Sequence, residues 1–533
     1  MLKSPKLIFS ILCFVLAWLI LTPFLNYQPY LAQGDHGRDL YCFERILQGD
    51  LPYKDFWWVY GPLMLYYYAF FYKILGVHIS SILIGQNILT AASTLLFFRI
   101  LMTRLPAGLS LLGALWFILF SQSFFFTFNH IGGITAILFI TLMIFSYIRR
   151  PQMIYLIWGL VGVLLLNLIK INFGLIALFC LVISAFLTDR LNGIALDRSK
   201  KIFYIAALFL VPIVTALVYD GLLHPLPSYV IHQCFPYLSK DHPYNISPLI
   251  ALLRWIRGIL INTGTSPSNI LFAFIIMLST VQTFLFLTRK EAMLASEKRQ
   301  TILALLIPAL FYVLNLHEYL ASGVLYRTFW SAPFSLLLIF LLIDIGTKNL
   351  TKTIRLMLYA ALLLVILSRA LGGYQALNQR KVPAQHLNLP RADIFVGNQP
   401  AWITTVTETV RFLDKNLKAE ELFVALPYDP LYYFLTAKQS PTPQLIFFDH
   451  INIPAQQEKG VIADLKKHNV RWVLLSNRIK SPEEGLGEFG KTYCPLIANY
   501  IQENFEVVAT FGDWANPPGW ASNHGTIILR RKN

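Results

Sequence analysis

The feature that most constrains this chain is a series of long apolar segments, which recur from its beginning to about residue 371. Eleven of them approach the ~20 residues that an α-helix needs to cross a bilayer. They are Leu7–Phe24, Ser80–Met102, Ala107–Phe126, Ile131–Ile148, Ile154–Ile169, Ile171–Leu187, Ile202–Gly221, Asn269–Thr288, Ile302–Leu320, Val324–Ile345 and Ile354–Leu371. Only 14% of the chain is charged, against roughly 25% in soluble domains. The sequence therefore predicts a polytopic α-helical membrane protein with about 11 transmembrane helices.

The basic residues predict how these segments are oriented. With a cytoplasmic N-terminus, the short cytoplasmic loops collect 17 of the 27 Lys and Arg residues that precede residue 373. The positive-inside rule favours that orientation, and eleven crossings then place everything after residue 372 outside. Because the net charge of +16 is scattered over short loops, nucleic-acid binding is not expected. We expect a multi-pass protein of the cytoplasmic (inner) membrane with an external, periplasmic C-terminal domain.

The composition changes after residue 372. Residues 373–400 are polar and contain several Gly and Pro, which predicts a linker. Residues 401–533 alternate helix and strand patterns, which predicts an external α/β domain. That domain contains no GxGxxG, P-loop or nucleophile elbow, and we expect its Asp429 and Asp449 to be solvated or capping groups. The transmembrane domain, residues 1–372, is therefore predicted to carry the chemistry.

One loop gathers the acidic residues of the membrane domain. Residues 1–372 hold 13 of the chain's 28 carboxylates, and five of those 13 lie in this loop: Asp35, Asp39, Glu44, Asp50 and Asp55. The loop spans 26–79 and is predicted to carry juxtamembrane helices, including the Tyr-rich Gly61–Gly76. Carboxylates concentrated at a membrane surface indicate chemistry or cation binding. Asp35 follows the first span by only about ten residues, so we expect it just above the membrane.

A group transfer on the outer face has no nucleotide sugar available, so it needs a donor activated within the bilayer, such as a sugar on a polyprenyl phosphate. The reaction requires a carboxylate to accept the proton of the acceptor hydroxyl. It also requires cations for the departing phosphate. The candidate cations near span ends are Arg38, Lys170, Arg254, Arg257 and Arg327. Snorkelling towards lipid headgroups is the alternative interpretation of the three arginines after residue 250.

The acidic loop resembles the first external loop of the GT-C glycosyltransferase superfamily, most closely the bacterial membrane transferases related to protein O-mannosyltransferases and the lipid A aminoarabinose transferase. Many members read Asp-Glu-Gly-x-Tyr, then Gly-x-x-Pro-Tyr-x-Asp, then Pro-Pro-Leu-x-Tyr-Tyr, then a Gly closing a helix. The corresponding positions here are Asp35, Gly49 to Asp55, Gly61-Pro62-Leu63 with Tyr66-Tyr67, and Gly76. Two departures are His36, in place of an acidic residue, and Gly61, in place of the first Pro.

The resemblance implies inverting transfer of a sugar from a polyprenyl-phosphate donor to a lipid, glycan or protein acceptor. It implies Asp35 as catalytic base and Asp55 as a second carboxylate that orients the acceptor or a cation. Asp39 is a rival base, because it would share a helix face with Asp35. Pairing with Arg38 or Arg45 is the structural alternative for Asp39, and capping the turn before Trp57 is that for Asp55. His36 removes one metal ligand of the pattern, so a divalent metal is possible but not required.

Three groups carry weaker indications. His130 and His317 are expected to be ordinary interface histidines, and Glu318 is a minor candidate for the site. A lipid-linked glycan transporter or flippase, or a non-catalytic scaffold of glycan assembly, remains the alternative function. Transporters concentrate charge near the bilayer midplane, whereas the acids here lie at segment ends. A receptor would leave the acidic loop unexplained.

Overall fold

Helices form most of this chain in the computed structural model. The structure describes residues 5–121, 128–223, 296–322, 325–447, 453–479, 487–516 and 524–532, with positions 247, 249, 250 and 253. Two compact units are distinguished by their internal contacts. The helical unit comprises Met1–Thr22, Ile88–Tyr219 and His232–Gly373, and the loop–tail unit comprises Pro23–Asn87, Asp220–Ile231 and Tyr374–Asn533.

Helices, most of them apolar, account for the larger part of the described residues up to residue 380. They are α1 (Pro5–Leu21), α2 (Asp35–Leu47), α3 (Leu63–Leu75), α4 (Ile79–Leu101), α5 (Ala107–Ser121), α6 (Phe128–Arg149), α7 (Met153–Asn167), α8 (Ile171–Leu191), α9 (Arg198–Ile205), α10 (Val211–Leu223), α11 (Ser296–Asn315), α12 (His317–Ser322), α13 (Ala332–Thr347) and α14 (Lys352–Arg380). In the described part, seven helical stretches are long and apolar enough to cross a membrane, and α3, α5, α7 and α13 are shorter apolar helices. The predicted membrane fold class is confirmed.

The predicted spans coincide with helices, with local differences. The predicted span Val324–Ile345 is divided, because Leu325–Trp330 forms a 3-10 turn before α13 begins. A π turn at Ala206–Leu210 separates α9 from α10. Pro212 follows it and lacks an amide hydrogen, which removes one helical hydrogen bond there. The predicted span Asn269–Thr288 lies outside the described residues.

The core of the helical unit is apolar and close-packed. Helices α6, α7 and α8 pack against one another, and α11 packs against both α8 and α13. Trp330, just before α13, stacks on Phe173 of α8 with ring centroids 3.9 Å apart. Its indole lies 2.5 Å from where a Cβ at position 133 would be, so Gly133 is needed for this approach. These contacts fix the N-terminal ends of α6 and α8 around the Trp330 ring.

The loop–tail unit contains two sheets. Strand β1 (Tyr27–Gln28) pairs in parallel with β3 (Ala392–Val396), and β2 (His386–Leu389) pairs with β3 antiparallel. The second sheet has the order β4-β5-β7-β6, with β4 (Phe423–Leu426), β5 (Trp472–Ser476), β6 (Phe505–Gly512) and β7 (Gly525–Arg531). Strands β4 and β5 are parallel, and the other two pairings are antiparallel. The predicted C-terminal α/β architecture is confirmed.

Helices cover the second sheet and connect its strands. They are α15 (Pro400–Asn416), α16 (Leu431–Leu435), α17 (Ala455–Lys467) and α18 (Pro495–Asn504). Trp402 and Val406 of α15 are fully buried, as is Val473 of β5. Residues 373–400, predicted as a linker, instead contain the end of α14 and the strands β2 and β3. Strand β3 explains this difference, because it pairs with β1 at the start of the acidic loop.

Hydrogen bonds within the loop–tail unit hold the acidic loop against the tail. The Leu431 amide donates to the Gln33 carbonyl (3.1 Å), and the Trp57 amide donates to the Pro443 carbonyl (2.9 Å). The Arg391 guanidinium binds both carboxylate oxygens of Glu44, at 2.6 and 3.0 Å. Helix α2, which carries Asp35, Asp39 and Glu44, is therefore part of one structure with the C-terminal α/β domain.

Candidate active site

Asp35 is the first residue of α2, and its side chain is 23% exposed. Its position at a helix N-terminus places the carboxylate near the unsatisfied amide groups of the first turn, where negative charge is favoured. Its neighbours along the helix are far less accessible, since Arg38 and Asp39 are 2% and 0% exposed. Among these three charged groups, Asp35 is the one that reaches solvent.

Arg38 joins the two carboxylates of the first helical turns. Its Nη1 lies 3.1 Å from Asp35 Oδ1, and its Nη2 lies 2.6 Å from Asp39 Oδ1. The guanidinium carbon also lies 5.3 and 5.2 Å from the ring centroids of Trp58 and Tyr60. Burial alone would lower the pKa of Arg38, but the charges of Asp39 and Asp35 outweigh it and raise that pKa well above its ordinary value. Arg38 is thus a permanent cation.

The other two predicted carboxylates have structural partners. Asp39 shares the face of α2 with Asp35, as its spacing predicts, and its Oδ1 also accepts from Arg38 Nε at 3.0 Å. Its pairing with Arg38 was the structural alternative. Asp55 is exposed, and its Oδ2 accepts a hydrogen bond from the Leu51 amide at 2.8 Å. That bond caps the turn before the tryptophans. His36 is buried, and its Nδ1 accepts from the Ala32 amide at 3.0 Å.

A tyrosine of the tail contacts Asp35. Tyr428 follows β4, is 3% exposed, and hydrogen-bonds with the Asp35 carboxylate through its hydroxyl. Burial, and then the negative charge of Asp35, raise the pKa of Tyr428 well above its ordinary value. The hydroxyl therefore keeps its proton and donates it to the hydrogen bond. A Cβ at Gly34 would lie 2.0 Å from the Tyr428 ring, so only glycine at that position lets the phenol reach the carboxylate.

A second layer of buried charge supports Tyr428. Arg478 follows β5, is fully buried, and lies with its guanidinium carbon 4.8 Å from the Tyr428 ring centroid. Asp429, also fully buried, accepts hydrogen bonds from the Ser476 hydroxyl and from the Tyr428 amide. Burial raises the pKa of Asp429 to about 6. The prediction that Asp429 is solvated or a capping group is therefore wrong, and Asp449 lies outside the described residues.

These tail residues were not predicted as part of the site. Asp429 and Arg478 both follow the carboxyl ends of adjacent parallel strands, which is where side chains of an α/β sheet converge. That topological signal was available from the predicted strands. The contact of Tyr428 with Asp35 was not, because it joins residues almost four hundred positions apart.

The helical unit contains a separate buried charge cluster, formed by Lys170, Asn172 and Glu318. Lys170 immediately precedes α8 and forms an ion pair with Glu318 of α12, and both side chains are less than a tenth exposed. Asn172 Nδ2 donates to Glu318 Oε1 at 3.1 Å and contacts His317 Nε2 at 2.7 Å. The Lys170 ammonium also lies 5.5 Å from the Trp330 ring centroid. Glu318 is therefore more central than the sequence indicated.

Arg327 contributes a second positive charge to this cluster. It lies in the 3-10 turn before α13, is half-buried, and interacts electrostatically with Glu318. Glu318 lies nine positions earlier in the chain than Arg327, in α12. His130 packs against Phe329 and Trp330, with ring centroids 4.9 and 5.3 Å away. Arg254 and Arg257 lie outside the described residues.

The charges around Asp35 do not suit a divalent cation. The Arg38 guanidinium already bridges Asp35 and Asp39, so a metal ion bound by both carboxylates would meet a fixed positive charge. His36 is turned to the Ala32 backbone amide. Within the described ranges, no three His, Cys, Asp or Glu side chains are grouped as metal ligands.

Comparisons with known proteins reveal the fold. No family model matches the sequence, and no curated protein is significantly similar to it. The archaeal oligosaccharyltransferase AglB from Archaeoglobus fulgidus, in complex with an inhibitory peptide and a dolichol-phosphate, superposes with a TM-score of 0.50 and 11% identity over 89% of this chain and 70% of that one. The oligosaccharyltransferase of the same organism in complex with Zn and sulfate gives 0.51 and 11% over 88% and 68%.

A bacterial structure is similar over almost its whole length. ArnT from Cupriavidus metallidurans, the aminoarabinose transferase, bound to undecaprenyl phosphate, superposes with a TM-score of 0.51 and 12% identity over 99% of this chain and 98% of that one. The chain therefore has the fold of GT-C glycosyltransferases. The resemblance that the acidic loop indicated is confirmed at the level of fold.

Proposed function

We propose that this protein is a glycosyltransferase that transfers a sugar from a polyprenyl-phosphate donor to an acceptor hydroxyl on the outer face of the cytoplasmic membrane. The observation that carries the proposal is the Asp35 carboxylate, which reaches solvent while Arg38 and Asp39 beside it are buried. The fold supports it, because structures with this fold include ones bound to dolichol-phosphate and undecaprenyl phosphate.

Asp35 acts as the general base in this proposal. It takes the proton of the acceptor hydroxyl as the acceptor oxygen attacks the anomeric carbon of the sugar. The bond between that carbon and the phosphate oxygen breaks, and the polyprenyl phosphate leaves with the electron pair. The configuration inverts because attack and departure occur on opposite faces. General base catalysis of this kind contributes about 10²–10⁴-fold to the rate.

Arg38 has a positioning role rather than the predicted contact with phosphate. Its guanidinium is buried, and its nitrogens bind Asp35 and Asp39. Held in this way, Asp35 keeps one orientation at the start of α2, and Asp39 balances the arginine's charge. Asp55, exposed and engaged in a turn, has no chemical step in the proposal.

Lys170 and Arg327 of the helical unit stay predicted contacts of the donor phosphate. Lys170 and Arg327 carry two positive charges against the single carboxylate of Glu318, which leaves a net positive charge for a phosphate group. Lysine offers a mobile ammonium and arginine a planar fork, and both bind phosphate oxygens. Arg254 and Arg257 stay predicted contacts of the donor.

The experiment that tests the function follows the label of the donor. Membranes from cells that express the protein are incubated with a panel of radiolabelled polyprenyl-phosphate sugars. We expect one sugar to leave the lipid with the wild-type protein and to stay on it with Asp35→Asn. A transporter or scaffold would leave every label on its lipid with both proteins, and that result would contradict the proposal.

Topology is tested separately. The proposal places the N-terminus in the cytoplasm and residues 373–533 outside, because basic residues are concentrated on the other face. Protease added to intact spheroplasts should remove the tail. Protection until lysis would reverse the orientation and exclude an outer-face reaction.

A further inference from the structure

Tyr428 and Asp35 belong to segments almost four hundred residues apart, yet they form one hydrogen-bonded pair within the loop–tail unit. Two features of the sequence permit this contact. Gly34 has no side chain where the Tyr428 ring lies, and Gly37 has none where the Leu431 backbone approaches to 2.3 Å. The tail is therefore seated directly on the first turn of α2.

The Tyr428 side chain is built to present one hydrogen-bond donor. Its ring is buried, with the Arg478 guanidinium carbon 4.8 Å from its centroid, and a cation at the face of a buried aromatic ring is attracted to it. The next residue, Asp429, is fixed by the Ser476 hydroxyl. The ring thus contacts both Arg478 and Gly34. Its hydroxyl meets Asp35, the one solvent-accessible carboxylate of the Asp35, Arg38 and Asp39 group.

We propose that Tyr428 is a positioning residue of the active site, which orients the Asp35 carboxylate by donating a hydrogen bond to it from the C-terminal domain. The inference rests on the proposed function, since it assigns a partner to the same base. A hydrogen bond donated to a carboxylate stabilises its charged form over its protonated form. The α/β tail is on this account a part of the catalytic machinery and not an appended domain.

Other charged groups near Asp35 cannot produce the same pH response. Arg38 is a permanent cation, and Asp39 is buried against it on the same helix. Arg478 contacts the face of the Tyr428 ring, with its guanidinium carbon 4.8 Å from the centroid, and remains there in Tyr428→Phe. His36, the adjacent titratable residue, is bound to the Ala32 amide. Removing only the Tyr428 hydroxyl therefore isolates its effect on the base.

The test is the pH dependence of sugar transfer by Tyr428→Phe in the full-length protein. The variant keeps the ring and loses the donor, so the acidic limb of the rate profile should move to higher pH by about one unit. Transfer should fall about tenfold on that limb and stay near the wild-type rate above it. A role confined to packing would lower the rate by the same factor at every pH.

Tyr433→Phe is the matched control. Tyr433 is also buried, its hydroxyl accepts a hydrogen bond from the Ala425 amide at 2.8 Å, and its ring contacts Tyr41 of α2. It has no hydrogen bond with Asp35 among the described contacts, so its profile should keep the wild-type shape. Gly34→Ala offers a second route, because the added methyl displaces the phenol from Asp35 and should produce the Tyr428→Phe shift.

The outcomes separate this inference from the proposed function. If the wild type transfers sugar, Asp35→Asn does not, and Tyr428→Phe has an unshifted profile, the role of Tyr428 is refuted and the base assignment stands. If Tyr433→Phe shifts the profile equally, the effect is general to the domain and the inference fails. If Asp35→Asn is as active as the wild type, the base assignment and the role of Tyr428 both fail, whereas sugar transfer by the protein stands.

Discussion

Two buried charge clusters, one in each unit, differ in the balance of their charges. The cluster on α2 has two carboxylates, Asp35 and Asp39, around one arginine, Arg38. The cluster of the helical unit has two cations, Lys170 and Arg327, around one carboxylate, Glu318. The first carries a net charge of −1 and the second +1, with all groups ionised. An excess carboxylate can accept a proton, whereas an excess cation can bind a phosphate.

The clusters also differ in which member is exposed. In the first, the excess carboxylate, Asp35, is the accessible group, and its cation is buried. In the second, Lys170 and Glu318 are both buried and Arg327 is half-buried. A buried pair contributes little net stability but is costly to break. In each cluster, two opposite charges thus form a buried ion pair, Arg38 with Asp39 and Lys170 with Glu318. The additional charge, on Asp35 or Arg327, is the more accessible to a reactant.

The largest effect should come from neutralising the excess carboxylate. Asp35→Asn keeps the size of the side chain and the hydrogen bonds from the helix, but it cannot take a proton. Transfer should fall by roughly 10²–10⁴-fold with normal membrane insertion. Initial rates with the labelled donor measure this effect.

Asp50→Asn is the matched control for that variant. Asp50 lies in the same loop, paired with Arg45 at 2.6 Å and away from the Asp35 cluster along the chain. Its loss should change the rate less than twofold. Full activity of Asp35→Asn together with an inactive Asp39→Asn would assign the base to the buried carboxylate and reverse the comparison.

Breaking the pair of the helical unit should have the next largest effect. Lys170→Gln and Glu318→Gln remove the same ion pair, so both should lower the free energy of unfolding by about 3–5 kcal/mol. Only Lys170→Gln also removes a cation, and it should raise the KM for the donor about tenfold. Glu318→Gln should leave the donor KM unchanged or lower.

The two variants are compared by thermal unfolding in detergent and by donor titration. Equal losses of stability with diverging KM values would support a phosphate role for Lys170. If the two variants change both thermal stability and donor KM alike, the Lys170–Glu318 pair has a structural role only. The excess positive charge of this cluster would then have no function in donor binding.

Local sequence patterns were sufficient for most of the fold. Apolar length predicted the helices, because a bilayer-spanning segment must satisfy its own backbone hydrogen bonds. The alternation of helix and strand patterns after residue 400 predicted the α/β domain that contains strands β4 to β7. The short pairings β1 with β3 were missed, since two residues of β1 carry no detectable period and their partner lies more than 360 positions away. Residues 373–400 were predicted to be a linker because their polar composition does not reveal that β3 pairs with β1.

The candidate site was predicted in part. The acid-rich loop identified Asp35, Asp39 and Arg38, because nearby residues on one helix must be neighbours in space. Their division of roles could not be predicted, since it depends on burial. Tyr428 and Arg478 were missed because only the folded tail brings them to α2. Glu318 was underestimated because Lys170, its partner, lies 148 positions earlier in the chain.

The pH dependence of stability should come from the tail. Burial, and then the charge of Arg478, lower the pKa of His524 to about 3. In the folded state His524 therefore stays neutral below pH 6.5, whereas in the unfolded chain it binds a proton. The free energy of unfolding falls as the pH decreases from about 6.5 to 3. Asp429, with a pKa raised to about 6, acts oppositely, since its contribution is complete below about 3.8 and is lost as pH rises through 6.

The two contributions nearly cancel between pH 7 and pH 5, and single variants should separate them. Asp429→Asn should lose about 2 kcal/mol of stability on acidification, and His524→Gln should gain about 1 kcal/mol. Thermal unfolding at the two pH values measures both. Lys170→Gln, in the helical unit, should keep the wild-type pH response. Equal pH slopes in all three variants would place the response outside the tail.

The smallest effect should distinguish the two interpretations of Arg327. Arg327→Lys keeps a cation beside Glu318, so a residue that merely snorkels towards headgroups would tolerate it. A phosphate contact uses the planar guanidinium fork, which an ammonium on a flexible stem matches poorly. Donor KM should therefore rise about three- to tenfold with unchanged expression.

Arg149→Lys, at the exposed end of α6, is the matched control for Arg327→Lys and should leave the donor KM unchanged. Donor titration with both variants measures the difference. A wild-type donor KM in Arg327→Lys would show that the Arg327 guanidinium does not contact the donor phosphate. Lys170 would then be the one described cation of this cluster left to bind phosphate, with Arg254 and Arg257 next to be tested. The excess charge of the helical unit would in that case serve only to balance Glu318, and the contrast with the α2 cluster would rest on Asp35 alone.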